Sequence, residues 1–229
     1  MMEKHYRCWA EIDRSALRHN MAFVREKFGP HIELLAVIKA NAYGHGMIEV
    51  AQTIADQANI FGVANLEEAT ALRGAVHHPI TILGPALPQE RTAIAERGFI
   101  PSISTLEEAR DFDHIGRGQK VAINFKIDTG MGRMGVLEGE ALAVFKEVNA
   151  LPNIKVHSVS THLPVSNEDE KFTREELRTF GKLIRRLRVE VPGNYKAHAL
   201  QTAGVLAFAE EPFEILRPGM LIYGISSLP

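Results

Sequence analysis

Leu34-Leu35-Ala36-Val37-Ile38-Lys39-Ala40-Asn41-Ala42-Tyr43-Gly44-His45-Gly46 decides how this 229-residue chain is read. Five apolar residues run straight into one lysine, and the loop that follows holds two glycines, Asn41, Tyr43 and His45. A short apolar run rich in branched side chains suits a strand buried on both faces, as in a parallel sheet. The lysine at its end stands where the core opens to solvent. An ammonium there is costly to desolvate, which favours the neutral amine, the nucleophile that Schiff-base chemistry requires. The alternative is a lysine that ends its strand by reaching into water.

Outward from this stretch, strand-like runs alternate with charge-bearing helical ones. Strands are expected near Glu33–Ile38, Ile60–Val63, Ile80–Leu83, Ile100–Ser102, Val121–Ile127, Ile154–Ser160, Tyr195–Ala199 and Met220–Gly224. Helical spacing covers Gly46–Ala58, and Leu66–Arg73 and Thr105–Phe112 both carry Leu-Glu-Glu-Ala. In the latter, Thr105 and Glu108 are placed for a capping box. The longest helix is expected over Lys171–Val189, with Arg174, Arg178, Lys182, Arg185, Arg186 and Arg188 as a solvated face. Eight strands alternating with helices imply parallel βαβ units and favour a closed (β/α)8 TIM barrel over an open doubly wound sheet. Residues 1–229 read as one barrel domain. The first 13 residues are an extended segment whose Tyr6–Asp13 stretch would be a ninth strand outside the barrel.

In such barrels the catalytic groups lie at the C-terminal strand ends. Lys39, Lys126, His162 and His198 fall at or just after the ends of the first, fifth, sixth and seventh expected strands, and Arg217 falls near the eighth. Composition excludes several classes. With 26 basic and 28 acidic residues and a formal net charge of −2, nothing points to nucleic acid or an anionic membrane. The single Cys8 forms no internal disulfide, and no Cys or His spacing suggests a metal. His77-His78 before Pro79 reads as a loop. There is no signal-peptide pattern or membrane-spanning run, so a soluble cytoplasmic protein is expected.

Four further segments carry chemistry. Asn124-Phe125-Lys126-Ile127-Asp128-Thr129-Gly130-Met131-Gly132-Arg133-Met134-Gly135 brings three charges and three closely spaced glycines to one strand end, where the backbone can approach a ligand or simply turn around a local ion pair. Ser160-Thr161-His162-Leu163 follows a strand. In His198-Ala199-Leu200-Gln201-Thr202-Ala203-Gly204, Thr202 offers a hydroxyl just before an expected helix start, a place where phosphate binds. The last is Leu216-Arg217-Pro218-Gly219-Met220-Leu221-Ile222-Tyr223-Gly224.

Together these segments closely resemble the alanine racemases, from Trp9-Ala10-Glu11-Ile12-Asp13 to Gly224. The resemblance implies pyridoxal 5'-phosphate as cofactor, held by Lys39 as an internal aldimine, with Tyr43 near its phosphate. It implies that Arg133 contacts the cofactor's phenolic oxygen and the substrate carboxylate, as a planar, always-charged guanidinium can. Lys126 occupies the position of the family's often carbamylated lysine, and His162 supports neighbouring groups. Thr202 is assigned to phosphate, although Gln201 and Thr202 stand where the family has asparagine and serine. Arg217 would donate to the pyridine nitrogen, weakening the electron sink and limiting side reactions, and Gly219 and Met220 would offer backbone N–H groups to the phosphate. Lys39 and Arg133 are thus the catalytic candidates.

The implied reaction is interconversion of L-alanine and D-alanine, supplying D-alanine for peptidoglycan. The substrate is a small amino acid, and a homodimer is left open. The resemblance covers only the family's first domain. The β-rich C-terminal domain, expected to be lacking here, supplies a tyrosine as the second base, so weak turnover or none is expected of this stretch alone. The alternative is a cofactor-binding module of the pyridoxal-phosphate homeostasis type, whose lysine motif differs. A non-catalytic scaffold would tolerate replacement of Lys39.

Overall fold

A computed structural model of the chain describes residues 7–208 and 213–226. Its strands are β1 Glu33–Val37, β2 Ile60–Val63, β3 Ile80–Pro85, β4 Ile100–Ile103, β5 Val121–Asp128, β6 Val136–Leu137, β7 Ile154–Ser160, β8 Lys196–His198 and β9 Ile215–Leu216. Eight of them, all parallel to their neighbours, run in the order β8-β7-β5-β4-β3-β2-β1-β9, while β6 pairs only with the end of β5. The ring closes between β8 and β9 through a parallel bridge of Gln201 with Arg217, the Arg217 N–H donating to the Leu200 carbonyl at 2.9 Å. The result is the expected (β/α)8 barrel. β1, β2 and β4 are buried along nearly their whole length, which explains why they show apolar runs, broken in β4 only by Ser102, rather than strict alternation.

The helices are α1 Arg14–Phe28, a single turn α2 Lys39–Tyr43, α3 Met47–Ile54, α4 Leu66–Arg73, α5 Arg91–Glu96, α6 Leu106–Gly116, α7 Glu138–Ala150, α8 Glu170–Glu190 and α9 Thr202–Ala207. The capping box at α6 forms as expected: the Glu108 N–H donates to Thr105 Oγ1 at 3.1 Å, and the Thr105 N–H to Glu108 Oε2 at 3.2 Å. In α8 the arginines and lysine of the expected solvated face are all exposed, and Thr173, Glu176, Leu177, Phe180, Ile184 and Leu187 are buried.

Three readings are corrected. The eighth barrel strand is Ile215–Leu216, not Met220–Gly224, which instead contains a 3₁₀ turn over Met220–Tyr223. The apolar run Met220-Leu221-Ile222 imitates a strand. However, its N–H groups are taken locally, Leu221 by Thr202 Oγ1 at 3.1 Å and Ile222 by the Gly219 carbonyl at 2.9 Å, so no ladder forms. Arg217 therefore follows the last strand instead of opening it. Residues 7–13 carry no strand, and Tyr6 and the residues before it lie outside the described residues. Asp13 instead caps α1, accepting from the Ser15 and Ala16 N–H groups at 2.8 and 3.1 Å. Helix α1 itself went unread although Leu17, Met21 and Val24 mark its buried face.

Candidate active site

The nine residues singled out from the sequence, Lys39, Tyr43, Lys126, Arg133, His162, Thr202, Arg217, Gly219 and Met220, all border one cavity of about 640 Å³ at the C-terminal rim. They reach it from the ends of four different strands, β1, β5, β7 and β9, and from the start of α9. Connectivity alone puts them there, because every βα unit returns its strand end to the same face.

At the β1 exit the backbone leaves Lys39 in an uncommon way. Ala40, Asn41, Ala42 and Tyr43 all have φ between 52° and 55°, a turn of left-handed helix. Non-glycine residues pay roughly 1–2 kcal/mol each for this conformation. Local bonds hold it: the Ala42 N–H donates to the Ile38 carbonyl at 2.8 Å, and Asn41 Oδ1 accepts from the Met47 N–H at 2.9 Å. His45, unread in the sequence, places Nδ1 2.9 Å from the Ala42 carbonyl and stacks on Tyr223 with ring centroids 4.4 Å apart. Tyr223 in turn lies against Tyr43 at 5.5 Å.

At the β5 exit, Asp128 organises the glycine-rich loop. Its carboxylate accepts from the N–H groups of Gly130, Gly132 and Arg133 at 2.9, 3.1 and 3.1 Å. Burial pushes this carboxyl up, but the backbone donors outweigh it and hold the group below its ordinary value. Asp128 thus holds the backbone of Arg133, leaving the exposed guanidinium at the cavity edge. Gly135 has φ 129°, and a Cβ there would lie 2.6 Å from the Asp128 nitrogen, so the turn requires glycine.

Burial of a cation, expected at Lys39, is deepest elsewhere. Lys39 is half-buried, whereas Lys126 is 6% exposed. Burial, reinforced by the cations of Arg217 and Arg133, holds the Lys126 amine well below the ordinary lysine value, against the pull of Asp128 and Glu176. Arg217 is equally buried; its Nη2 donates to the carbonyls of Thr161 and Ala199 at 2.6 and 2.7 Å, and its Nε has no partner among the described residues. Burial and then Arg133 lower it to about 10, so it stays charged near neutrality. His162, driven down to about 2 by burial and then by Arg217, Lys126, Arg133 and Lys39, is neutral. His198 sits at the end of β8 as expected, but it is fully buried and absent from the cavity wall.

Thr202 Oγ1 accepts from the Gly219 N–H at 3.2 Å and from the Leu221 N–H at 3.1 Å. The Gly219 N–H, expected to be offered to a ligand, is therefore already engaged, and Met220 is left as the backbone donor at this corner. A Cβ at Gly219 would come within 3.3 Å of the Tyr43 hydroxyl and 3.9 Å of Thr202 Oγ1, which outlines a tight cradle. Gln201, the departure noted in the sequence, donates to the Leu163 carbonyl at 3.2 Å and to Ser166 Oγ at 2.6 Å.

The sequence reading missed the floor. Asn124 donates to Ser102 Oγ and Ser160 Oγ at 3.0 and 2.9 Å and accepts from Ser158 at 3.0 Å. This satisfied layer spans β4, β5 and β7 beneath Lys126. Asn124 and Ser102 are single polar residues between apolar neighbours, a signal that was available. The whole arrangement gathers four basic side chains around a concave site, which suits an anionic ligand.

A family model described as the alanine racemase N-terminal domain matches residues 12–227. The alanine racemase of Halothermothrix orenii is 34% identical over 225 residues, covering 95% of this chain and 59% of the relative. Among solved structures, alanine racemase of Clostridium difficile 630 in complex with cycloserine superposes with a TM-score of 0.92 at 26% identity, over 95% of this chain and 62% of that one. Alanine racemase from Bacillus anthracis with bound L-Ala-P gives 0.88 at 28% identity, over 97% and 59%. The chain thus spans about 60% of the length of the relatives it matches. The barrel, its rim and the matched span from residue 12 to residue 227 lead to one assignment: the chain belongs to the alanine racemase family, as its N-terminal domain.

Proposed function

We propose that this chain is the cofactor-binding barrel of a pyridoxal-phosphate-dependent alanine racemase, with Lys39 as its cofactor lysine and as one of its two bases. The observation that carries the reading is the convergence of nine residues, chosen from separate sequence motifs, on one cavity. The donor set fits the cofactor. The partnerless Nε of buried Arg217 suits a ring nitrogen, and the corner made by Tyr43, Thr202, Gly219 and Met220 suits a phosphate.

When bound, pyridoxal phosphate supplies the electron sink that makes the α-proton of an amino acid acidic. The Lys39 amine takes or returns that proton on one face of the substrate. Arg133 binds the substrate carboxylate, its backbone pinned by Asp128. Arg217 keeps its proton and its charge, so it moderates the sink rather than completing it. His162, neutral throughout, fills the wall without adding a cation. The two-base scheme that goes with this reading has a tyrosine as its second base, supplied by the C-terminal domain of a full-length alanine racemase and acting across a dimer. A cytoplasmic source of D-alanine for peptidoglycan is the physiological role that goes with this reading.

Lys126 is proposed to be carbamylated. Burial and the flanking Arg217 and Arg133 disfavour the charged amine, which can add to carbon dioxide with release of one proton to solvent, and the single negative charge of the carbamate then offsets one of the two guanidinium charges. Labelled bicarbonate is expected to give a carbamate carbon signal by NMR that Lys126→Met lacks; no signal in the parent rejects the modification.

Visible absorption after incubation with pyridoxal phosphate, compared with Lys39→Ala, tests the main reading. A band present in the parent and lost in the variant supports it, and identical spectra reject it. Racemisation of L-alanine that depends on Lys39 then supports the enzyme. Cofactor binding without turnover, even when a C-terminal domain of the family is supplied, favours a cofactor-handling module instead.

A further inference from the structure

We propose that Glu68 is a positioning residue for Lys39: its carboxylate ties the left-handed turn after the lysine to the exit of β2 and thereby aims the amine into the cavity. The inference rests on Lys39 being the cofactor lysine. A run of four residues at positive φ persists only where its surroundings over-determine it. The first amide of that run, Ala40, donates to Glu68 Oε1 at 2.7 Å. The other oxygen, Oε2, accepts from the Ala64 N–H at 2.8 Å, where β2 runs out into the cavity wall. Both bonds are charge-assisted and short. One side chain from the first turn of α4 therefore joins the ends of two neighbouring strands. One of those ends leads directly into Lys39.

The chain contains its own control. The same Leu-Glu-Glu-Ala recurs at the start of α6, where Glu108 Oε2 accepts from the N–H groups of Ser104 and Thr105 at 2.6 and 3.2 Å. Both of these donors lie in the loop that Glu108 itself caps. Beyond that loop, Glu108 Oε1 faces the Arg91 guanidinium on α5 at 3.8 Å, whereas Glu68 ties together the backbone at two strand ends, one of which leads into Lys39. Removing the same group at the two positions separates helix capping from the aiming of Lys39.

The experiment compares Glu68→Ala, Glu68→Gln and Glu108→Ala with the parent and Lys39→Ala, measuring thermal midpoint, pyridoxal phosphate Kd and amide exchange at Ala40. Glu68→Ala and Glu108→Ala are expected to lose similar amounts of thermal stability. Only Glu68→Ala is expected to weaken cofactor binding, by about tenfold, the size of one lost hydrogen bond to a charged acceptor, and to speed exchange at Ala40. Glu68→Gln keeps one accepting oxygen but turns an NH₂ toward the other amide. It should fall between parent and Glu68→Ala, and it serves as the test if Glu68→Ala does not fold. Equal Kd changes at positions 68 and 108, or an unchanged Kd at 68, overturn the inference. If Lys39→Ala keeps the parent's affinity, the lysine assignment itself fails and the inference with it. If Lys39→Ala loses affinity while the Glu68 variants do not, only the positioning role fails.

Discussion

Thr202 has one hydroxyl and three demands on it: the Gly219 and Leu221 N–H groups as donors, and a proposed phosphate as acceptor. Thr202→Val should strand the buried Gly219 N–H, at a cost of about 1–3 kcal/mol, and the half-buried Leu221 N–H, at a smaller cost. Urea unfolding is expected to register that loss, and Thr202→Ser is expected to recover most of it. If valine is tolerated without loss, the two bonds contribute little. At this scale the sequence identified the residue types well, because an amine, two guanidiniums and a hydroxyl each have few uses at a strand end. It could not identify their partners. The chain that supplies Gly219 and Leu221 returns to Thr202 only after β9, and that return depends on the closed ring. The same limit applies to Lys126, whose burial follows from the cavity walls around it and not from its neighbours in sequence.

At the scale of elements, α8 and the loop after β5 form one electrostatic unit. Glu176 on α8 is 3% exposed, Thr129 Oγ1 donates to its Oε1 at 3.3 Å, and its Oε2 has no partner among the described residues. Burial, with help from Asp128 and against Lys126, raises its carboxyl from 4.5 to about 7. Below pH 4.5 the group is neutral whether the chain is folded or not. Between 4.5 and about 7 the folded protein holds a proton that the unfolded chain has released, so stability falls as pH rises through this window and is lowest above it. Thermal midpoints of Glu176→Gln should lose this slope and exceed the parent's near pH 8 on the same scale. A parallel fall in both proteins would assign the slope to other groups.

Elements were legible where pattern and packing agree. β2, β7 and α4 match their expected bounds, and β5 runs one residue further, to Asp128, because buried apolar residues recur along these elements even where Asn124, Lys126, Ser158 and Ser160 interrupt them. The reading failed at β9, where two residues suffice for a strand and the more apolar Met220-Leu221-Ile222 drew the assignment away from them. The Leu-Glu-Glu-Ala segments were legible as helix starts only, since capping is local and the reach of Glu68 to Ala40 is not.

For the whole molecule, counting eight strands was enough to imply closure, and the comparisons agree on the barrel. The count says nothing about how evenly the ring is joined. β5 and β7 pair along six positions, whereas β9 pairs with β1 through two, and its link to β8 is the Gln201–Arg217 bridge. Amide exchange is expected to be fastest along this seam, at Arg217 and at Val37, whose N–H donates to the Pro218 carbonyl at 2.9 Å. Addition of pyridoxal phosphate should slow it there more than at β5. Uniform slowing around the ring would contradict this.

The seam also separates the site's two halves, with Lys39 on one side, Thr202 on the other and Arg217 between them. A ligand that touches all three is linked thermodynamically to ring closure. Part of its intrinsic affinity is then consumed in shifting the population toward closed rings, so the apparent affinity is weaker than the contacts alone would give. Conversely, the proportion of closed molecules rises with ligand concentration. Variants that loosen β9 without touching the cavity should therefore pass as binding mutants, distinguishable because saturating ligand restores their stability.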